Sequence, residues 1–185
     1  MRAAGHATRE RILTAARAEF ARHGVAGARI NRIAADAHAS KDRLYAYFPG
    51  KTELYAAVTE QWATETTTST ALRAEDLPGY AGRLFDHFVA HPDDARLQAW
   101  ADLEALDPRV EAVLRRATMS KLEEVRRGQR DGLVTADFTP AALLRMLTDL
   151  TRTAATHAVQ ARKSDGAVER QRSAVILAVR RLVAP

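Results

Sequence analysis

Between two amphipathic stretches of only about two helical turns each stands His38-Ala39-Ser40, a segment too short for anything but a tight turn. That corner limits the N-terminal part of the chain more than any other feature. Ile30, Ile33, Ala34 and Ala37 share one face of the first stretch, which holds neither glycine nor proline. Ser40 supplies an N-cap for the second stretch, from Lys41 to Phe48, and Pro49-Gly50 ends it. A longer helix precedes the corner: Thr8 can cap it, Leu13, Ala16 and Phe20 form its apolar stripe, and His23-Gly24 closes it. A fourth helix begins near Lys51 or Thr52 with Leu54, Tyr55, Val58 and Trp62 on one side, and is expected to fray in the run Thr66-Thr67-Thr68-Ser69-Thr70.

Helical periodicity continues to the C-terminus. Pro78 opens a helix carrying Leu84, Phe85, Phe88 and Val89, which His91-Pro92 breaks. The next, from Asp93 or Asp94, is expected to bury Leu97, Trp100, Leu103 and Leu106. Pro108 starts a long helix through Val110, Val113, Leu114, Met119, Leu122 and Val125, ended by Gly132. Pro140 opens another with Leu143, Leu144, Met146, Leu147 and Leu150, and Ser164-Asp165-Gly166 separates it from a last helix ending at Leu182 or Val183. Alanine, leucine and valine dominate the hydrophobic residues, and with the arginines they favour helices throughout.

Cysteine is absent, so disulfides, thiolate metal sites and cysteine nucleophiles are excluded. Charges at Arg9, Glu10, Arg11, Arg17, Glu19 and Arg22 interrupt the first helix, which argues against a signal peptide, and no apolar run approaches the roughly 20 residues of a bilayer span. A cytoplasmic protein without membrane contact is expected. Residues 1–51 hold ten Lys and Arg against four Asp and Glu, whereas the remainder is nearly neutral. On charge alone, a polyanion partner for the N-terminal segment and a solvated basic face both remain open.

A long helix followed by two short ones across a three-residue turn is the helix-turn-helix arrangement, whose second short helix enters the major groove of DNA. Spacing by itself also fits corners that bind nothing. The ordered residues Arg11-Ile12-Leu13, Ala16, Phe20, Gly24, Ile33-Ala34, Ser40-Lys41, Leu44-Tyr45, Tyr47-Phe48 and Lys51 to Leu54 resemble the TetR/AcrR family of regulators, over about residues 8–55. The resemblance implies an all-α fold of about nine helices. An N-terminal three-helix helix-turn-helix domain, residues 1–51, would bind DNA, and a helical domain, residues 52–185, would sense a ligand and dimerise. It further implies a ligand-responsive transcriptional regulator, by the family's usual mode a repressor, released from a dyad-symmetric operator by a small molecule. No enzymatic activity, cofactor or metal is expected.

Leu13, Ala16, Phe20, Ile30, Ile33, Leu44 and Phe48 have the periodicity of a small core that holds the recognition helix rigid. Lys41, Arg43, Tyr45 and Tyr47 are too polar or amphipathic for that core and should face DNA, with Ser40 at the helix start. In the family pattern the tyrosine at Tyr45 and the lysine at Lys51 contact phosphates, which sets register. Lys41 and Arg43 can donate to guanine O6 and N7. The chain departs from the pattern at His38 and Asp42, where glycine is usual, and at Arg29, where a capping Thr or Ser is usual. His38 can adopt a left-handed backbone at some cost, and Arg29 can reach a phosphate. Asp42 is either a specificity residue accepting from a cytosine amine or simply an acid at a helix start.

Candidate walls of an apolar ligand pocket are Trp62, Phe88, Trp100, Leu103, Met119, Leu147 and Thr151, with Phe85 and Leu122 beside them. His87, Asp102, Glu104, Arg152 and His157 are candidate anchors for a small, largely apolar effector. The last two helices are expected to form the homodimer interface through Leu143, Leu147, Leu150, Ala154, Ala158, Val175, Leu177, Val179 and Leu182. Two other classes of function compete. An enzyme would have to use His87 and His91 as a metal pair, or Asp102, Glu104 and Asp107 as paired acids, and neither set has the companions such chemistry needs. A helical dimer that binds nucleic acid without sensing a small molecule is the alternative.

Overall fold

A computed structural model describes residues 2–104, 107–161 and 166–185, and among them every regular element is helical. In chain order these are α1 (Arg2–Gly27), α2 (Ile30–Asp36), α3 (Lys41–Tyr47), α4 (Lys51–Ser69), a 3-10 turn (Ala74–Asp76), α5 (Leu77–Ala90), α6 (Pro92–Leu103), α7 (Pro108–Arg130), α8 (Pro140–Gln160) and α9 (Ala167–Leu182). No helix among the described residues is long and apolar enough to cross a membrane. The expected burial of Leu106 and the break at Ser164-Asp165 lie outside the described residues.

The helices gather into two compact units that do not follow chain order. Residues 1–63 and 93–114 form the first, and residues 64–92 and 115–185 form the second. The first unit has a continuous apolar core in which Ile12, Leu13, Ala16 and Phe20 of α1 meet Ile33 of α2, Leu44 of α3, and Leu54, Tyr55, Val58 and Trp62 of α4. Leu97 of α6 and Val110 of α7 complete it. Phe20 and Tyr55 pack edge to face, with ring centroids 5.0 Å apart. The small-core residues expected from periodicity are all in or against this cluster.

The first helix begins at Arg2 rather than at Thr8, and Thr8 is buried inside it. Its regular course breaks at the expected glycine: Gly24 has φ 64° and ψ −176°, a conformation open essentially to glycine alone, and a short helical turn follows the kink to Gly27. The fourth helix does not fray in its threonines but continues to Ser69. Propensity penalties of at most about 0.7 kcal/mol per residue are overcome because Thr66 and Thr70 are buried, and because the Thr70 and Ser69 hydroxyls donate to carbonyls one turn back.

In the second unit, Leu84, Phe85 and Phe88 of α5, Leu143 and Leu147 of α8, and Val175 and Val179 of α9 are buried. Asp76 caps α5 by accepting from Gly79 N at 2.9 Å, and Thr139 caps α8 by accepting from Ala142 N at 3.2 Å. Two expected core positions are instead exposed: Leu103 by 77% and Met119 by 55%. A spacing of three residues, repeated, drifts around a helix of 3.6 residues per turn, so Leu103 sits about 120° from Leu97. Met119 is likewise about 180° from Val110 and about 120° from Val125.

Candidate nucleic-acid interface and sensing residues

The corner forms from local chemistry. Ser40 has extended backbone and its Oγ accepts from Arg43 N at 3.1 Å, which starts α3. His38 has φ 50°, the left-handed conformation that allows the chain to reverse between α2 and α3. Ala39 N donates to Ala34 O at 2.9 Å across the same turn. Arg29 provides no side-chain cap for α2. A residue that sequence reasoning missed substitutes for that cap. The buried Glu19 carboxylate of α1 accepts from Arg29 N at 2.8 Å and from Arg32 Nε at 2.7 Å. Burial works to raise the Glu19 pKa, but the Arg32 guanidinium and the Arg29 N–H together hold it below its ordinary value.

With Leu44 buried beneath it, α3 presents Lys41, Asp42, Arg43 and Tyr45 together to solvent, Tyr45 being 45% exposed. Ser40, at the start of α3, and Arg29, at the start of α2, are exposed as well. Asp42 lies in the first turn of α3, where the helix dipole favours an acid. Two of the residues expected to face DNA are engaged within the unit. The Tyr47 hydroxyl donates to Gly5 O at 3.0 Å, tying the end of α3 to the start of α1. The Lys51 ammonium donates to Ala26 O and Ala28 O, each at 3.3 Å, and so satisfies carbonyls between α1 and α2.

The C-terminal half of α6 holds the end of α1. The Trp100 indole donates to Ala21 O at 3.2 Å, and the Glu104 carboxylate accepts from Val25 N at 3.0 Å. At its other end α6 brings the fully buried Asp94 against α1, where Arg17 Nε donates to it at 2.9 Å. Of the expected pocket walls, Trp62, Trp100 and Leu103 belong to this first unit, with Trp62 buried in its core and Trp100 bound to α1. Phe88, Met119, Leu147 and Thr151 belong to the second unit. There Phe88, Leu147 and Thr151 are buried, and the Thr151 hydroxyl donates to Leu147 O at 2.8 Å. His87 lies between Thr66 Oγ1 at 3.3 Å and Ser69 Oγ at 3.2 Å, which occupies both ring nitrogens, and its ring stands 4.9 Å from that of His91.

Residues 12–58 match the model of the tetR family of bacterial regulatory proteins, and residues 76–181 match that of the tetracyclin repressor-like C-terminal domain. The chain is 43% identical, over 137 residues, to the HTH-type transcriptional repressor SCO4008 of Streptomyces coelicolor, an alignment that covers 73% of this chain and 71% of that protein. Among solved structures, SCO4942 of Streptomyces coelicolor superimposes with a TM-score of 0.78 at 43% identity, covering 95% of this chain and 98% of that one. A TetR family transcription regulator from Marinobacter aquaeolei VT8 shares the fold with a TM-score of 0.74 at 21% identity, covering 96% and 98% of the two chains.

Proposed function

Because the chain belongs to the tetR family of bacterial regulatory proteins, we propose that it is a repressor, released from a dyad-symmetric operator by a small, largely apolar molecule. DNA binding is assigned to residues 1–51, and sensing and dimerisation to residues 52–185. The observation that carries the reading is the α3 surface, where Lys41, Asp42, Arg43 and Tyr45 stand exposed over a buried Leu44 on a capped, rigid helix. Lys41 and Arg43 have the donors to read guanine edges, and Tyr45 and Arg29 suit phosphates. Asp42, whose acceptor would meet a cytosine amine, is read as a specificity residue. Tyr47 and Lys51 are also read as DNA-facing, Lys51 toward a phosphate, while their hydrogen bonds to Gly5 O and to Ala26 O and Ala28 O hold the two side chains in place.

A homodimer formed through α8 and α9 places two recognition helices on successive major grooves, which calls for an inverted repeat. Leu150 at 39% exposure and Leu177 at 46% are the apolar side chains that these helices leave uncovered. Ligand binding then shifts the population toward a conformation that no longer fits both half-sites. The test is selection of genomic fragments by the purified protein at two salt concentrations. An enriched inverted repeat, lost in Lys41→Ala or Tyr45→Ala, is the expected result. Weak, strongly salt-sensitive binding without an enriched dyad would refute it.

A further inference from the structure

Helix α1 begins at Arg2, whereas the match to the tetR family model begins at residue 12, so the first turns of the helix precede the matched segment. Within the first unit these turns are fixed to the helix-turn-helix corner at three points. The Tyr47 hydroxyl, at the end of α3, donates to Gly5 O at 3.0 Å, and a Cβ at Gly5 would stand 3.3 Å from that hydroxyl, so glycine permits the approach. Arg11 Nε donates at 3.2 Å to the carbonyl of Ala37, the residue that closes α2. Arg9 lies between them, one turn beyond Gly5, and its guanidinium carbon is 5.5 Å from the ring centroid of Phe48, the residue that closes α3. Phe48 is buried, yet the Arg9 side chain remains 43% exposed. It pairs with Glu10 at 3.2 Å, an exposed contact of the kind that contributes little and is readily exchanged. A guanidinium that rests its flat face on a ring keeps its N–H edge available to an acceptor.

We propose that Arg9 is a further operator-binding residue, which donates to a phosphate of the backbone flanking the bases read by α3. The proposal rests on the reading of α3 as the recognition helix. Stacking on Phe48 holds the guanidinium in register with α3, because the same residue closes that helix, and the ties at Gly5 and Ala37 keep α1 in place. A planar fork of parallel donors fits phosphate oxygens. A phosphate contact carries no base preference, so Arg9 adds affinity and salt dependence to operator binding and leaves sequence preference to α3.

Binding of the full-length protein to the inverted repeat that it selects is followed by fluorescence anisotropy across a range of salt concentrations. Arg9→Met, which keeps an apolar stem over Phe48 without the charge, is expected to weaken binding about tenfold and to flatten the plot of log K against log salt by about 0.9 for each protomer, one phosphate contact's worth of counterion release. Arg9→Lys restores the slope, all three proteins select the same repeat, and the melting temperature does not change. Replacing single phosphates beside each half-site by uncharged methylphosphonates weakens the wild-type protein at one position and makes no difference to Arg9→Met there. An unchanged salt slope in Arg9→Met, a loss that follows a lowered melting temperature, or no methylphosphonate position that separates the two proteins overturns the proposal and leaves the operator reading standing on the repeat. If the wild-type protein enriches no repeat, the operator reading fails, and the role of Arg9 with it.

Discussion

At the scale of single residues, the backbone is most constrained at Gly24. Its φ of 64° and ψ of −176° exclude side chains, and a Cβ there would come within 2.9 Å of the Trp100 ring. Gly24→Ala is therefore expected to lower stability by about 2–3 kcal/mol in urea unfolding, whereas an unchanged midpoint would show that the turn relaxes freely. Glu19 makes a pH-dependent contribution. Its folded pKa lies below 4.5, so the stability it provides is fully present above that value and is lost as pH falls through the depressed folded pKa. Glu19→Gln should cost about 2 kcal/mol near neutral pH, and that difference should close in acid unfolding curves as the pH drops below 4.5. A gap that stays constant with pH would mean that packing, and not charge, is what Glu19 supplies. The glycine was legible in the sequence as a helix end. Glu19 was not, because it caps α2 from α1 across ten residues, and no local pattern records such a partner.

At the scale of elements, the corner follows from side chains within a few residues of one another. Ser40→Ala removes the cap of a helix only seven residues long, at about 1 kcal/mol. Operator affinity should fall with it, since the same helix carries Lys41, Arg43 and Tyr45; retained affinity alongside the lost stability would separate capping from recognition. The places where element-level reading failed have a common physical cause. Thr66 to Ser69 remain helical because burial outweighs weak propensity, while Leu103 and Met119 are exposed because apolar identity does not fix angular position on a helix. Lys121 is the converse, a charged residue half-buried one turn before the buried Val125, with its stem covered and its ammonium over the Tyr80 ring.

At the scale of the whole molecule, Leu143, Leu147, Ala158, Val175 and Val179 of α8 and α9 are buried within the chain itself, and Leu150 and Leu177 are the large apolar residues that the proposed homodimer would cover. Leu177→Glu is expected to shift sedimentation from dimer to monomer and to weaken operator binding by at least tenfold, with helix content unchanged; a persistent dimer would place the interface elsewhere. The all-helical fold, the helix-turn-helix and the exposed identity of α3 were determined by the sequence itself, because periodicity, caps, breakers and the clustering of basic residues are local properties. Tertiary structure alone decided that residues 93–114 share a core with residues 1–63, that Glu19 and Glu104 complete the ends of other helices, and that a half-buried lysine lies over the Tyr80 ring. Those arrangements depend on which distant surfaces exclude water together, and helix periodicity says which face is apolar without saying what it meets.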